Sequence, residues 1–129
     1  MLNLARALAF PFVVGIVAVT AAPLALAAEE PIIVVAKVFP AEGREDEAQA
    51  RIAKLVKFVQ ANNPGVTFRL HRSTKKPVVL LLYETFPSQT SLDIQQKSVL
   101  PAFIKEAGAT PEGLLAKPNE VEFYSRTAD

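Results

Sequence analysis

Two strand-length segments, Ile32-Ile33-Val34-Val35-Ala36-Lys37-Val38-Phe39 and Val78-Val79-Leu80-Leu81-Leu82-Tyr83-Glu84-Thr85-Phe86, are apolar at nearly every position. Side chains alternate between the two faces of a strand, so a run that is apolar at both odd and even positions suits water on neither face. A sheet built around these segments needs cover on both sides. What the rest of the chain offers as cover decides the fold.

From Glu42 to Asn62, apolar Ala48, Ile52, Leu55, Val56 and Val59 recur at three and four residues, with Arg51, Lys54, Lys57 and Gln60 between them. This spacing predicts an amphipathic helix, with Glu42, Glu45, Asp46 and Glu47 crowding its positive end and Asn62-Asn63-Pro64-Gly65 stopping it. A second helical stripe runs through Leu92, Val99, Leu100, Phe103, Ile104 and Ala107 to Gly108, kinked or divided at Pro101. Val66 to Arg72 alternates as a half-buried strand and pairs with 78–86 across the polar turn Ser73-Thr74-Lys75-Lys76-Pro77. Pro111, Gly113 and Pro118 mark a loop, and Val121 to Arg126 alternates as a short last strand. Strand, helix, strand, strand, helix, strand is the split pattern of a ferredoxin-like α+β sandwich with an antiparallel sheet. Both helices then cover one face. About half of Ile33, Val35, Phe39, Val79, Leu81 and Tyr83 point the other way, exposing several hundred Å² of hydrocarbon that a second copy would shield. A homodimer packed sheet on sheet is expected.

The chain has 129 residues, and residues 7–28 carry no charge, with Arg6 before them. Pro23 and the small-residue pattern Ala25-Leu26-Ala27 fit a secretory leader over residues 1–27, leaving a domain of residues 28–129. An uncleaved anchor is the competing reading, and membrane contact is expected only in that case. The expected destination is the periplasm or the exterior. Without its leader the domain holds 13 basic and 13 acidic side chains and no global field that would hold nucleic acid. The absence of Cys removes disulfides, thiolate nucleophiles and Cys-ligated metals, and a single His argues against a His metal cluster. No metal or cofactor is expected, and no Gly-rich phosphate loop or nucleophile elbow occurs.

Several motifs in series carry a resemblance: Ile32 to Lys37, Gly43 before an acidic helix start, Pro64-Gly65-Val66-Thr67-Phe68-Arg69-Leu70-His71-Arg72, Leu82-Tyr83-Glu84-Thr85-Phe86, then Ser88, Leu92, Ser98 and Phe103. Over about residues 32–126 the chain resembles the antibiotic biosynthesis monooxygenase domain family. That resemblance implies a dimeric α/β barrel of ferredoxin-like protomers, and among its activities the cofactor-free oxidation of aromatic polyketides or quinols by dioxygen. Other members degrade haem, process small signalling molecules or have no known activity. Family members often carry His three residues before the Ser matching Ser98, and Gln95 stands there in this chain. Glutamine does not titrate near neutrality, so a His acid, base or axial haem ligand is lost at that position. The haem-degrading branch also has Trp after the third-strand Glu and Asn on the first strand, where this chain has Phe86 and Ala36-Lys37.

The candidate catalytic groups are His71, the sole imidazole, and Glu84, near the end of an apolar strand. His71 reads either as a base toward a phenol or as a surface or interface residue. Glu84 reads either as a carboxyl whose pKa burial raises or as one arm of a structural salt bridge to Lys37, Arg69 or Arg72. Lys37, Arg69, Phe86, Gln95 and Phe103 are the candidate substrate-binding residues. Two functions are compatible with this set: an exported cofactor-independent monooxygenase for a small aromatic or quinol, or a non-catalytic dimeric module binding a small ligand or protein. In a filled protomer with no cavity above about 300 Å³ the enzyme reading loses its site.

Overall fold

The computed structural model describes residues 30–127. The expected leader and its processing site lie outside these residues. Among the described residues no helix is long and apolar enough to cross a membrane.

The elements are β1 (Ile32–Pro40), α1 (Glu45–Asn62), β2 (Thr67–Arg72), β3 (Leu80–Phe86), α2 (Gln89–Ile94), a π-helical turn (Gln95–Val99), α3 (Leu100–Ala107) and β4 (Leu115–Ser125). The strands form one antiparallel sheet in the order β2-β3-β1-β4, the ferredoxin-like arrangement. Gly65 closes the turn after α1 at φ +97°, a conformation that costs glycine nothing. Ser88 caps α2, its hydroxyl accepting from the Ser91 backbone N–H at 3.1 Å.

Register fixes what each sheet face carries. Val34, Ala36 and Val38 of β1 lie level with Glu84, Leu82 and Leu80 of β3, and Phe68 and Leu70 of β2 lie level with Glu84 and Leu82. This set faces the helices, where Val34, Ala36, Phe68, Leu82 and Phe86 form a buried core with Val59, Leu92 and Val99. The opposite face carries Ile33, Val35 and Lys37 level with Thr85, Tyr83 and Leu81, and Thr67, Arg69 and His71 on β2. Among the described residues no helix covers that face. Its centre is apolar and its β2 edge is basic, as a sheet with cover on one side only would leave it.

Two features differ from the sequence reading. β4 runs 11 residues and contains Pro118, which the sequence marks as loop. An edge strand tolerates a residue without N–H, and the register slips beside it, between the Lys37 and Phe39 pairings. Ile104 and Ala107, expected on the inner stripe, are exposed. At about 100° per residue Ile104 stands about 120° from Leu92, already at the margin of the stripe, and the segment before it carries a π turn in which the Leu100 N–H reaches Gln95 O. Pro101 sits just after the turn, where a widened ladder relieves its clash with the carbonyl four residues back.

Candidate functional site

The helices cover β2, β3 and β1 but stop short of β4. On the helix side, Val121 and Phe123 lie level with Ala36 and Val34 yet stay 48% and 55% exposed. Between this uncovered strand and the helical segment lies a cavity of about 250 Å³. Val34, Leu82, Phe86, Leu92, Leu100 and Phe123 make most of its wall apolar, and Glu84, Gln95, Gln96 and Asn119 supply its polar groups.

Glu84 is 8% exposed. Strand alternation puts it on the helix side, between Val34 and Phe68 on the neighbouring strands. No hydrogen bond or ion pair reaches its carboxyl among the described residues, and it is the sole ionisable group lining the cavity. Burial alone pushes its pKa up from 4.5 to about 8, so near neutrality it is mostly protonated. The salt-bridge reading of Glu84 is therefore replaced. Lys37 and Arg69 project from the far side of the sheet, and the Arg72 guanidinium donates to Asp46 and Gln49 of α1 at 2.9 and 2.7 Å.

Gln95, 2% exposed, opens the π turn. Its side-chain oxygen accepts from Asn63 Nδ2 at 3.2 Å, and the same Nδ2 donates to the Ser91 carbonyl at 3.2 Å. Asn63, which the sequence marks only as a helix stop, is thus a buried bridge between the end of α1 and the wall of the cavity. Only the tertiary contact shows it.

Of the residues chosen from sequence, Glu84, Phe86 and Gln95 converge on this cavity. His71, Arg69 and Lys37 do not: the two-residue period sets them on the uncovered face, so His71 and Glu84 cannot act on one substrate within a protomer. Phe103 is elsewhere too. It packs edge-on against Phe58 of α1 at 5.6 Å, beneath the Arg51 guanidinium at 5.4 Å, as part of the helix–helix contact. Asn119, Val121 and Phe123 of β4 line the cavity without having been chosen as site residues, because β4 reaches it only through its pairing with β1, and Leu55 of α1 joins them. A cavity of 250 Å³ falls short of the range usual for drug-sized ligands, about 300 Å³ and upward. It is ample for one substituted ring, given that a cavity of about 150 Å³ holds benzene. Among the described residues no group of three or more His, Asp or Glu side chains is placed to hold a metal.

Solved structures share this architecture. A Caulobacter crescentus protein described as a candidate antibiotic biosynthesis monooxygenase superposes with a TM-score of 0.64 at 22% identity, over 78% of this chain and 92% of its own. A Nitrosomonas europaea protein of the same description gives 0.60 at 11% identity, over 76% and 91%. A Bacteroides thetaiotaomicron protein described as a possible oxidoreductase gives 0.60 at 14% identity, over 77% and 100%. No protein-family model matches the chain, and comparison with curated proteins finds no match. The chain has the fold of the antibiotic biosynthesis monooxygenase-like proteins, an α+β ferredoxin-like sandwich.

Proposed function

We propose that the cavity takes a single electron-rich aromatic ring of the hydroquinone type and oxidises it with dioxygen, with no cofactor and with Glu84 as the base. The observation that carries this reading is one unpaired carboxyl in an otherwise apolar cavity. A pKa of about 8 closes most of the gap between an ordinary carboxylate and a phenol, whose own value is about 10, and proton transfer is most efficient when donor and acceptor are matched. Glu84 takes the phenolic proton, and the Gln95 amide stabilises the phenolate. The electron-rich ring then reduces dioxygen. One oxygen atom enters a ring carbon and the other leaves as water, so that hydroquinone and dioxygen yield hydroxybenzoquinone and water. All four electrons come from the substrate, and no external reductant is needed.

Oxygen uptake by metal-free protein over a panel of monocyclic hydroquinones tests this. The expected result is uptake with one labelled oxygen atom incorporated from labelled dioxygen, lost in Glu84→Gln. No turnover, or turnover unchanged in that variant, removes the enzymatic assignment. The small volume and the single ionisable group favour a second reading, a module that only binds such a ring. Saturable binding without oxygen uptake would establish that reading.

The protein is also proposed to work as an exported homodimer. The uncovered sheet face supports the dimer. Its centre is apolar (Ile33, Val35, Leu81, Tyr83), Arg69 and His71 mark the β2 side, and Glu120 and Glu122 lie on β4 level with Lys37 and Val35. A two-fold axis parallel to the strands sets β2 of one copy over β4 of the other, basic edge against acidic edge. N-terminal sequencing of the exported protein checks the leader, and a chain starting at Met1 would contradict its removal.

A further inference from the structure

The orientation of the Gln95 amide is set by a chain of hydrogen bonds. The Ser91 main-chain oxygen can only accept, so the Asn63 side-chain atom 3.2 Å from it must be the nitrogen. That nitrogen also lies 3.2 Å from the Gln95 side chain, so the Gln95 atom facing it must be the oxygen. Asn63 is 5% exposed and Gln95 2%, so water does not compete for these contacts. With its oxygen committed to Asn63, Gln95 keeps Nε2 for other partners. No acceptor among the described residues takes the Nε2 protons, and Gln95 lines the cavity. Among the described residues Ser91 Oγ is the one fully buried side-chain nitrogen or oxygen without a partner, so Gln95 Nε2 keeps access to the cavity, where a ligand oxygen replaces water as its acceptor.

We infer that Asn63 is a positioning residue that locks the Gln95 amide with its nitrogen toward the cavity, so that the cavity selects a small ring bearing an acceptor oxygen of the carbonyl or quinone type. This rests on the cavity being the ligand site. It adds a residue on α1's C-terminal cap that touches no ligand and acts through Gln95 alone. It also gives the hydroquinone reading a polarity: the end of the ring held by Gln95 is the one where negative charge, and then a carbonyl, develops.

Three monocyclic probes of similar size separate the possibilities: ethylbenzene, which has no polar atom, acetophenone, which only accepts, and phenol, which accepts and donates. In the unmodified protein, acetophenone is expected to bind about tenfold tighter than ethylbenzene, the value of one well-formed neutral hydrogen bond. Acetophenone, and not ethylbenzene, should shift the Gln95 side-chain amide resonances in ¹⁵N spectra. Asn63→Asp keeps the shape but offers only acceptors, so Gln95 is expected to turn and donate to it, presenting its oxygen to the cavity. The acetophenone preference over ethylbenzene should then fall to about one, while phenol, able to donate, keeps its advantage. Gln95→Leu should abolish the acetophenone preference, whereas phenol keeps Glu84 as a partner, and ethylbenzene affinity reports that the cavity is intact in each variant. Equal affinity for acetophenone and ethylbenzene in the unmodified protein overturns the inference and leaves the ligand site standing. An acetophenone preference that survives both variants assigns the oxygen to Glu84 and also overturns it. Failure to bind any of the three rings overturns the site and the inference together. The amide-resonance shift is read on the unmodified protein, and its absence on adding acetophenone overturns the inference even if Asn63→Asp fails to fold.

Discussion

Glu84 makes the stability of the protein depend on pH in a direction opposite to that of most carboxylates. The unfolded chain releases this proton near pH 4.5, whereas burial holds it in the folded protein to about pH 8. Between these values the folded state binds more protons than the unfolded one, so the free energy of unfolding falls as pH rises, by about 1.4 kcal/mol per pH unit, and levels off above about 8. The full rise corresponds to a loss of at most about 5 kcal/mol, comparable with the whole stability of a small domain. Glu84→Gln preserves the shape of the side chain and removes the proton. Urea denaturation of both proteins at pH 5, 7 and 9, at one fixed concentration because association would add to stability, measures the difference directly. The variant is expected to gain on the unmodified protein by several kcal/mol from pH 5 to pH 9. Glu45 and Glu47, whose pKa values are lowered by backbone hydrogen bonds and by Arg44 respectively, are shared by both proteins and cancel in this comparison. Parallel stability profiles across that range would refute the account of Glu84 as an unpaired buried carboxyl.

The same titration governs the proposed chemistry: as a base Glu84 must be ionised, so oxygen uptake should rise through about pH 8, and a rate falling over that range would instead make it an acid. Leu81→Glu places a charge at the apolar centre of the uncovered face, and light scattering should show a dimer reduced to monomers; an unmodified protein that is already monomeric at micromolar concentration contradicts the interface. Ser91 Oγ is buried with no partner among the described residues, so Ser91→Ala should stabilise by about 1 kcal/mol in urea melts, against a loss if the hydroxyl were satisfied. Ser88→Ala removes the cap of α2 and should cost about 1 kcal/mol in the same assay.

The order of elements was legible in the chain because it rests on period. Ile32 to Phe39 and Val78 to Phe86 read as doubly apolar strands, and the helix after Gly43 and the alternation from Val66 each arise from local spacing. Glu84 stood out as a carboxyl in an apolar strand for the same reason. Less legible were the features that local spacing does not encode. A π turn interrupts the second helical segment at Gln95–Val99, Ile104 at the margin of its stripe is left exposed, and Pro118 sits in a strand because that strand lies at an edge. His71, Arg69 and Lys37 were grouped with Glu84 by chemical type, whereas one step of strand parity sends them to the other side of the sheet.

Sequence by itself determined the alternation of strands and helices, the excess of apolar sheet surface and the oddity of Glu84, since each is a property of neighbours along the chain. Tertiary structure alone decided that Glu84 finds no cation among the described residues, that Asn63 crosses from the end of α1 to hold Gln95, and that β4 leaves Val121 and Phe123 beside an open cavity. The physical reason is that a partner, a desolvated charge and a void are set by residues distant in sequence, whose meeting depends on register and on how far each helix reaches across the sheet.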